Sequence, residues 1–165
     1  MKLKERLKNI ILCIKYPFLR PRNVWTGKKT PKWFGSYTIL DEMPAGWREK
    51  IGLPLCKELK AELKRSKLLK HYQVLQVKEK YGVLCWYDTQ NTQEGYNIIH
   101  KYEKKSAEIC IHCGNAVEYV SRGWITYLCK NCAIKNYEAT KKYLNDIDLD
   151  SYLDNNYLKI NDKQE

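Results

Sequence analysis

Four cysteines in the last third of the chain restrict its folding more than any other feature. Cys110 and Cys113 are spaced C-x2-C, as are Cys129 and Cys132, with fifteen residues between the pairs. Each C-x2-C turn aims two thiolates at one point, and a two-stranded excursion of this length returns the second pair to complete a tetrahedron. That is the donor set and geometry of a closed structural Zn2+ site. Gly114, directly after the first pair, supplies the positive φ that such a knuckle needs. Two disulfides, or four unrelated buried thiols, are the competing readings. A site with four thiolates is coordinatively full, so one Zn2+ here staples a fold rather than activating water.

The length of 165 residues suits one domain, or one domain with a small satellite. The apolar stretch Ile10 to Ile14 is closed by Lys15, with no small-residue cleavage site after it, and no run approaches a membrane span. The expectation is a reducing cytoplasm in which Cys13, Cys56 and Cys85 are small buried hydrophobes. A catalytic thiol among them has no local signature.

Net charge is +11, unevenly spread. Residues 1–34 carry +9, residues 35–142 carry +6 and residues 143–165 carry −4. A basic head and an acidic tail imply an anionic partner near the N-terminus or contact between the two ends, set against a merely soluble lysine-rich surface. Leu3, Leu7, Ile10, Ile11 and Ile14 recur at helical spacing, which predicts an amphipathic helix ending before Pro17. Its stripe is expected to dock on the parent domain, the alternative being an anionic membrane surface. Residues 17–36 have no period and interleave Arg20, Arg22, Lys28, Lys29 and Lys32 with Trp25, Trp33 and Phe34. That mixture suits phosphate contact with base stacking, or an arm whose aromatics plug into the core while its lysines face water.

Further along, Leu55, Cys56, Leu59 and Leu63 make one face of a helix. Tyr72–Lys78 and Val83–Tyr87 read as strands joined through Glu79-Lys80-Tyr81-Gly82. Residues 96–107 read as helix, with Ile98, Ile99 and Tyr102 inward. Ribbon strands are expected near 116–120 and 125–128, helix over 133–143, and a last short helix within 146–160. The resulting fold class is α+β: a β-hairpin and helix domain (37–108), a C4 zinc ribbon (109–134), a basic N-terminal helix and arm (1–36) and an acidic helical tail (135–165).

Recognisable catalytic apparatus is missing. No glycine-rich phosphate loop, His-Glu-x-x-His or nucleophile elbow occurs, and His71, His100 and His112 stand singly. Asp146, Asp148 and Asp150 alternate as in a metal loop but lack the glycine and distal glutamate of an EF-hand. The hairpin connection is more informative. Lys78 and Lys80 can hold phosphate oxygens while Tyr81 stacks; the bland alternative is a solvated turn anchored by Tyr81. The ligand-binding candidates are therefore Arg20, Arg22, Lys28, Lys29, Lys32, Lys78, Lys80 and Tyr81, the arm and the tip acting together.

The succession Gly46-Trp47, Leu55-Cys56-Lys57-Glu58-Leu59, Gln76-Val77-Lys78-Glu79-Lys80-Tyr81-Gly82-Val83-Leu84, Trp86-Tyr87, Tyr102-Glu103, Ser106, Cys110-x-x-Cys113-Gly114, Gly123-Trp124 and Cys129-x-x-Cys132 resembles a family of small uncharacterised proteins encoded by phages and prophages. Residues 15–23 resemble the N-terminal part of its members. The resemblance implies an accessory protein working in the cytoplasm of a bacterial host. Two classes of function follow. One is a non-enzymatic binder of an anionic nucleotide-type ligand, either nucleic acid or a small signalling nucleotide, in host takeover or anti-defence. The other is a protein–protein adaptor that masks a host enzyme, for which basicity only speeds encounter. An enzyme whose site is assembled from distant residues ranks third.

Overall fold

The computed structural model describes residues 3–23, 26, 28, 35–144 and 147–160 and shows an α+β chain. Helix α1 (Leu3–Lys15) stops before Pro17, and the 3-10 turn Pro17–Leu19 drives Phe18 and Leu19 into the interior. A short α2 (Ala45–Trp47) runs through a π-helical turn (Arg48–Gly52) into α3 (Leu53–Arg65), with Pro54 in the first turn, where its missing N–H costs nothing. The hairpin β1 (Val74–Lys80) and β2 (Val83–Asp88) follows, then α4 (Gln93–Ser106), whose N-cap Thr92 accepts from the Gly95 amide at 3.0 Å. One apolar cluster joins these parts. It includes Leu12, Tyr16, Phe18 and Leu19 from the N-terminal segment, Trp47, the α3 face Leu55, Cys56, Leu59 and Leu63, and Val77, Leu84, Trp86, Ile99 and Tyr102. Tyr16 and Phe18 plug into the core, whereas the arm aromatics Trp25, Trp33 and Phe34, on which the two readings of the arm turn, lie outside the described residues.

A two-stranded sheet is marginal alone and exposes two open edges. Here side chains cap both of them. On the β1 edge, Val77 N–H donates to Glu42 Oε2 at 3.0 Å. On the β2 edge, Leu84 N–H donates to Ser106 Oγ at 2.8 Å and Trp86 N–H to Glu103 Oε1 at 2.9 Å. The hairpin thus keeps one face for the core and one for solvent.

The rotation of α1 departs from expectation. Its buried residues are Asn9, Leu12 and Cys13, while Leu3, Leu7, Ile11 and Ile14 are 75%, 52%, 62% and 69% exposed. The apolar stripe faces away from the domain. The cause is a polar anchor. Asn9 Nδ2 donates to Asp41 Oδ2 at 3.4 Å, Arg48 donates to Asn9 Oδ1 at 3.3 Å, and Arg48 pairs with Asp41. With Tyr16 and Phe18 locked below it, the helix cannot turn its stripe inward.

The second cluster belongs to the C-terminal part. Strands β3 (Tyr119–Ser121) and β4 (Tyr127–Leu128) form the ribbon, followed by α5 (Lys130–Thr140), α6 (Leu149–Asn156) and β5 (Tyr157–Lys159). Strand order is β4-β3-β5, all antiparallel. Residues 157–160 were expected to extend a helix; instead Tyr157 enters the cluster with Tyr119, Tyr137, Tyr152 and Leu153 while β5 occupies the open edge of β3. Satisfying that edge and burying Tyr157 together outweigh helical propensity. Asp148 caps α6, accepting from the Ser151 amide at 2.9 Å, so this member of the aspartate series is an N-cap; Asp146 lies outside the described residues.

Glu62 and Glu58 carry a pH dependence. The Arg65 guanidinium and then the Thr92 hydroxyl lower the Glu62 carboxyl below its ordinary range; Lys101 and then Tyr102 do the same to Glu58. A depressed folded-state value contributes stability above the unfolded carboxylate value of about 4.3, and that contribution is lost as pH falls through the folded value. Thermal melts should therefore show Glu62→Gln below wild type at pH 6, with the two curves converging toward pH 3, on the order of those carboxylate values. A gap that stays constant over this range would remove Glu62 as a contributor.

Candidate functional site

The first pair of cysteines leaves β-bridge residue Ile109 into a tight turn, and the second pair straddles the start of α5. Gly114 adopts φ +78°, as the knuckle requires. The sulfurs of Cys110, Cys113, Cys129 and Cys132 all lie within 4.8 Å of one another, with Cys113 and Cys129 at 3.4 Å. A tetrahedral ion with metal–sulfur bonds of about 2.3 Å needs sulfur–sulfur edges of about 3.8 Å. The donor set fits. Among the described residues no other group of three or more His, Cys, Asp or Glu side chains converges in this way.

Electrostatics at the knuckle favour thiolate. Burial opposes ionisation of Cys110, but the backbone N–H groups of Cys129, Cys113 and His112 point at its sulfur and bring the thiol down to about 7. Burial raises Cys129 and Cys132. A bound cation would hold Cys129 and Cys132 as thiolates against that burial. The remaining cysteines behave otherwise. Burial holds Cys13 and Cys56 protonated, and at Cys85 burial and then the nearby Glu103 do the same, which makes each a poor nucleophile. His100 Nδ1 sits 2.9 Å from Glu103 Oε2 on the exposed side of α4, while the other Glu103 oxygen is committed to the Trp86 amide.

The knuckle also positions a second surface. Gly46 N–H donates to Ile111 O at 3.0 Å and Trp47 Nε1 to Ile109 O at 2.8 Å, seating the metal turn on α2. At the other contact, a β-carbon added to Gly82 would lie 2.7 Å from the Tyr127 ring and 2.9 Å from Ile125. The hairpin tip therefore rests on the ribbon strand that leads into Cys129.

That tip is a two-residue turn, since Lys80 pairs with Val83, and both Tyr81 (φ 53°) and Gly82 (φ 80°) are left-handed. Tyr81 is 73% exposed. Lys78 and Lys80 share the solvent face of β1, and their Nζ atoms lie 5.0 Å and 5.6 Å from the centroid of the Tyr87 ring. Tyr87 and the 76%-exposed Trp124, one residue before Ile125, were not singled out for this surface from the sequence. The signal for Tyr87 was alternation, which puts it on the same face as the lysines; the signal for Trp124 was its place beside Arg122-Gly123 at a ribbon bend.

The arm residues go elsewhere. Arg20 and Arg22 line a cleft of about 260 Å³ with Lys70 and Tyr72. Tyr72 precedes β1, so this cleft lies at the open end of the hairpin, about 20 Å of strand from Lys80. Lys28 is exposed, and Lys29, Lys32, Trp25, Trp33 and Phe34 lie outside the described residues. The arginines and the tip lysines are thus two cationic sites on one hairpin. No helix among the described residues is long and apolar enough to cross a membrane. Comparison with protein-family models, curated proteins and solved structures gives no match.

Proposed function

We propose that this is a zinc-stapled, non-enzymatic binding protein whose ligand is a single-stranded nucleic acid or a related nucleotide. The observation that carries this is the solvent face of the β1–β2 hairpin, where two lysine ammoniums flank the Tyr87 ring, with exposed Tyr81 at the tip and exposed Trp124 next to Ile125, against which the tip packs. Aromatic faces stack bases at about 1–3 kcal/mol each, and lysines supply the phosphate contacts. The Arg20–Arg22–Lys70 cleft is a second, separate cationic site beyond the open end of the hairpin. Zinc is the favoured metal because four thiolates in a closed tetrahedron suit a soft, redox-inert ion. Its role is to hold the ribbon against the hairpin tip. The resemblance to phage-encoded proteins supplies the setting, binding of host nucleic acid or of a host signalling nucleotide in the bacterial cytoplasm. The adaptor reading keeps one specific support, the exposure of Trp124, since an exposed tryptophan also suits a protein anchor.

Fluorescence anisotropy with a labelled oligothymidylate, and calorimetry with a cyclic dinucleotide, test the proposal. Replacing both Lys78 and Lys80 by alanine should weaken oligonucleotide binding and reduce the log–log salt slope by about 1.4, at about 0.7 per phosphate contact on a single strand. Trp124→Ala should weaken it at unchanged slope. If wild type binds neither probe at low salt, the nucleotide reading fails and the adaptor reading replaces it.

A further inference from the structure

Helix α1 leaves an unusual face uncovered. With successive residues turning about 100°, Leu3, Ile14, Leu7 and Ile11 fall within an arc of about 80°. All four are exposed, and the buried Asn9, Leu12 and Cys13 lie on the opposite side of the helix. Lys4, Lys15 and Lys8 border the stripe on one flank and Arg6 on the other; all four cations are exposed. The acidic residue of the helix, Glu5, sits on the far side from the stripe. Ile10, at the margin, is covered by the turn at Gly35, where an added β-carbon would come within 2.6 Å of its side chain. The stripe therefore has support behind it, and among the described residues nothing covers its front.

We propose that this face is a docking surface for an anionic phospholipid bilayer, on which α1 lies flat with its apolar stripe at the acyl boundary and its lysines among the headgroups. Three features of the helix select this occupant. The stripe is convex and linear, about 16 Å from Leu3 to Ile14, which suits a planar interface rather than a pocket. Its cations border the apolar arc, where they would reach headgroups while the leucines and isoleucines enter the hydrocarbon edge. A second copy is disfavoured, because a two-fold pairing of this stripe would bring the Lys and Arg borders of both helices together, and the carboxylate beside them, Glu49, is already paired with Lys8 at 3.3 Å. Because Asn9, Asp41 and Arg48 fix the rotation of α1, the face is presented without any rearrangement of the core. Binding a lipid surface is independent of the hairpin face proposed for nucleotides.

The test is co-sedimentation of the full-length protein with vesicles of equal parts phosphatidylglycerol and phosphatidylcholine, and with vesicles of phosphatidylcholine alone. Wild type should partition onto the anionic vesicles about tenfold more strongly than onto the neutral ones at physiological salt. The double variant Leu7→Asp/Ile11→Asp should lose about tenfold in that partitioning while keeping metal content and Tm, since both positions are exposed. Lys78→Glu/Lys80→Glu should partition like wild type. Equal sedimentation of wild type and Leu7→Asp/Ile11→Asp would overturn the proposal, because charge anywhere on the molecule would then suffice. So would an absence of wild-type binding to anionic vesicles. Lipid-free self-association of wild type that the double variant abolishes would also overturn it and assign the stripe to a second copy.

Discussion

Replacing Cys129 by serine is expected to empty the metal centre and unfold the chain from about residue 109 onward. The second apolar cluster has ten buried residues, and three of them are the ligands Cys110, Cys129 and Cys132. A core this small needs a staple, and structural zinc contributes binding free energy on the order of 10 kcal/mol to comparable modules. Loss of a ligand removes most of that. Elemental analysis should give one zinc per wild-type chain and a small fraction of that in Cys129→Ser. Amide exchange should accelerate at Tyr119, Leu128 and Tyr137 but much less at Leu59 and Leu63, which sit in the other cluster. Oligonucleotide binding should weaken too, because the Gly82 tip loses its seat on Tyr127. Iron in place of zinc would correct the metal and keep the staple; no metal at all in wild type would defeat both.

Gly46→Ala is expected to lower Tm by several degrees while leaving the four ligands in place. An added β-carbon would stand 2.2 Å from the Cys110 carbonyl oxygen, 2.7 Å from Gly114 N and 2.8 Å from Ile111 C. All three are backbone atoms of the knuckle, so no side chain can rotate aside. Overpacking of this kind costs about 1–3 kcal/mol, and more when backbone must separate. Separation would also break the Gly46–Ile111 and Trp47–Ile109 hydrogen bonds. Gly123→Ala is the control, because nothing lies within 4 Å of its added carbon. Calorimetry should place that variant near wild type. Equal melting of the two variants would mean that the knuckle does not sit on Gly46 as described. Zinc retained at full occupancy in Gly46→Ala separates this failure from that of Cys129→Ser.

How much the chain declares in advance depends on how local the relevant physics is. The metal centre is legible because each C-x2-C pair converges by its own turn geometry, and only the return of one short ribbon has to be assumed. The α3 face and the hairpin are legible for the same reason, local periodicity and a turn signal. The connection read as Glu79–Gly82, however, closes as the two-residue turn Tyr81–Gly82, because Glu79 and Lys80 still pair with Leu84 and Val83. Tertiary structure decided the rest. The stripe of α1 satisfies every local criterion for a docking face, yet Asn9, through Asp41 and Arg48 more than thirty residues away, turns it outward. Gly46 carries no local mark of its importance, which arises from backbone that follows sixty residues later. Likewise Tyr157 becomes a strand residue because β3 has an open edge and the cluster has room for a ring. The four-cysteine cluster follows from residue type and spacing, whereas faces, seats and edges are settled by what lies opposite them, which a single sequence does not list.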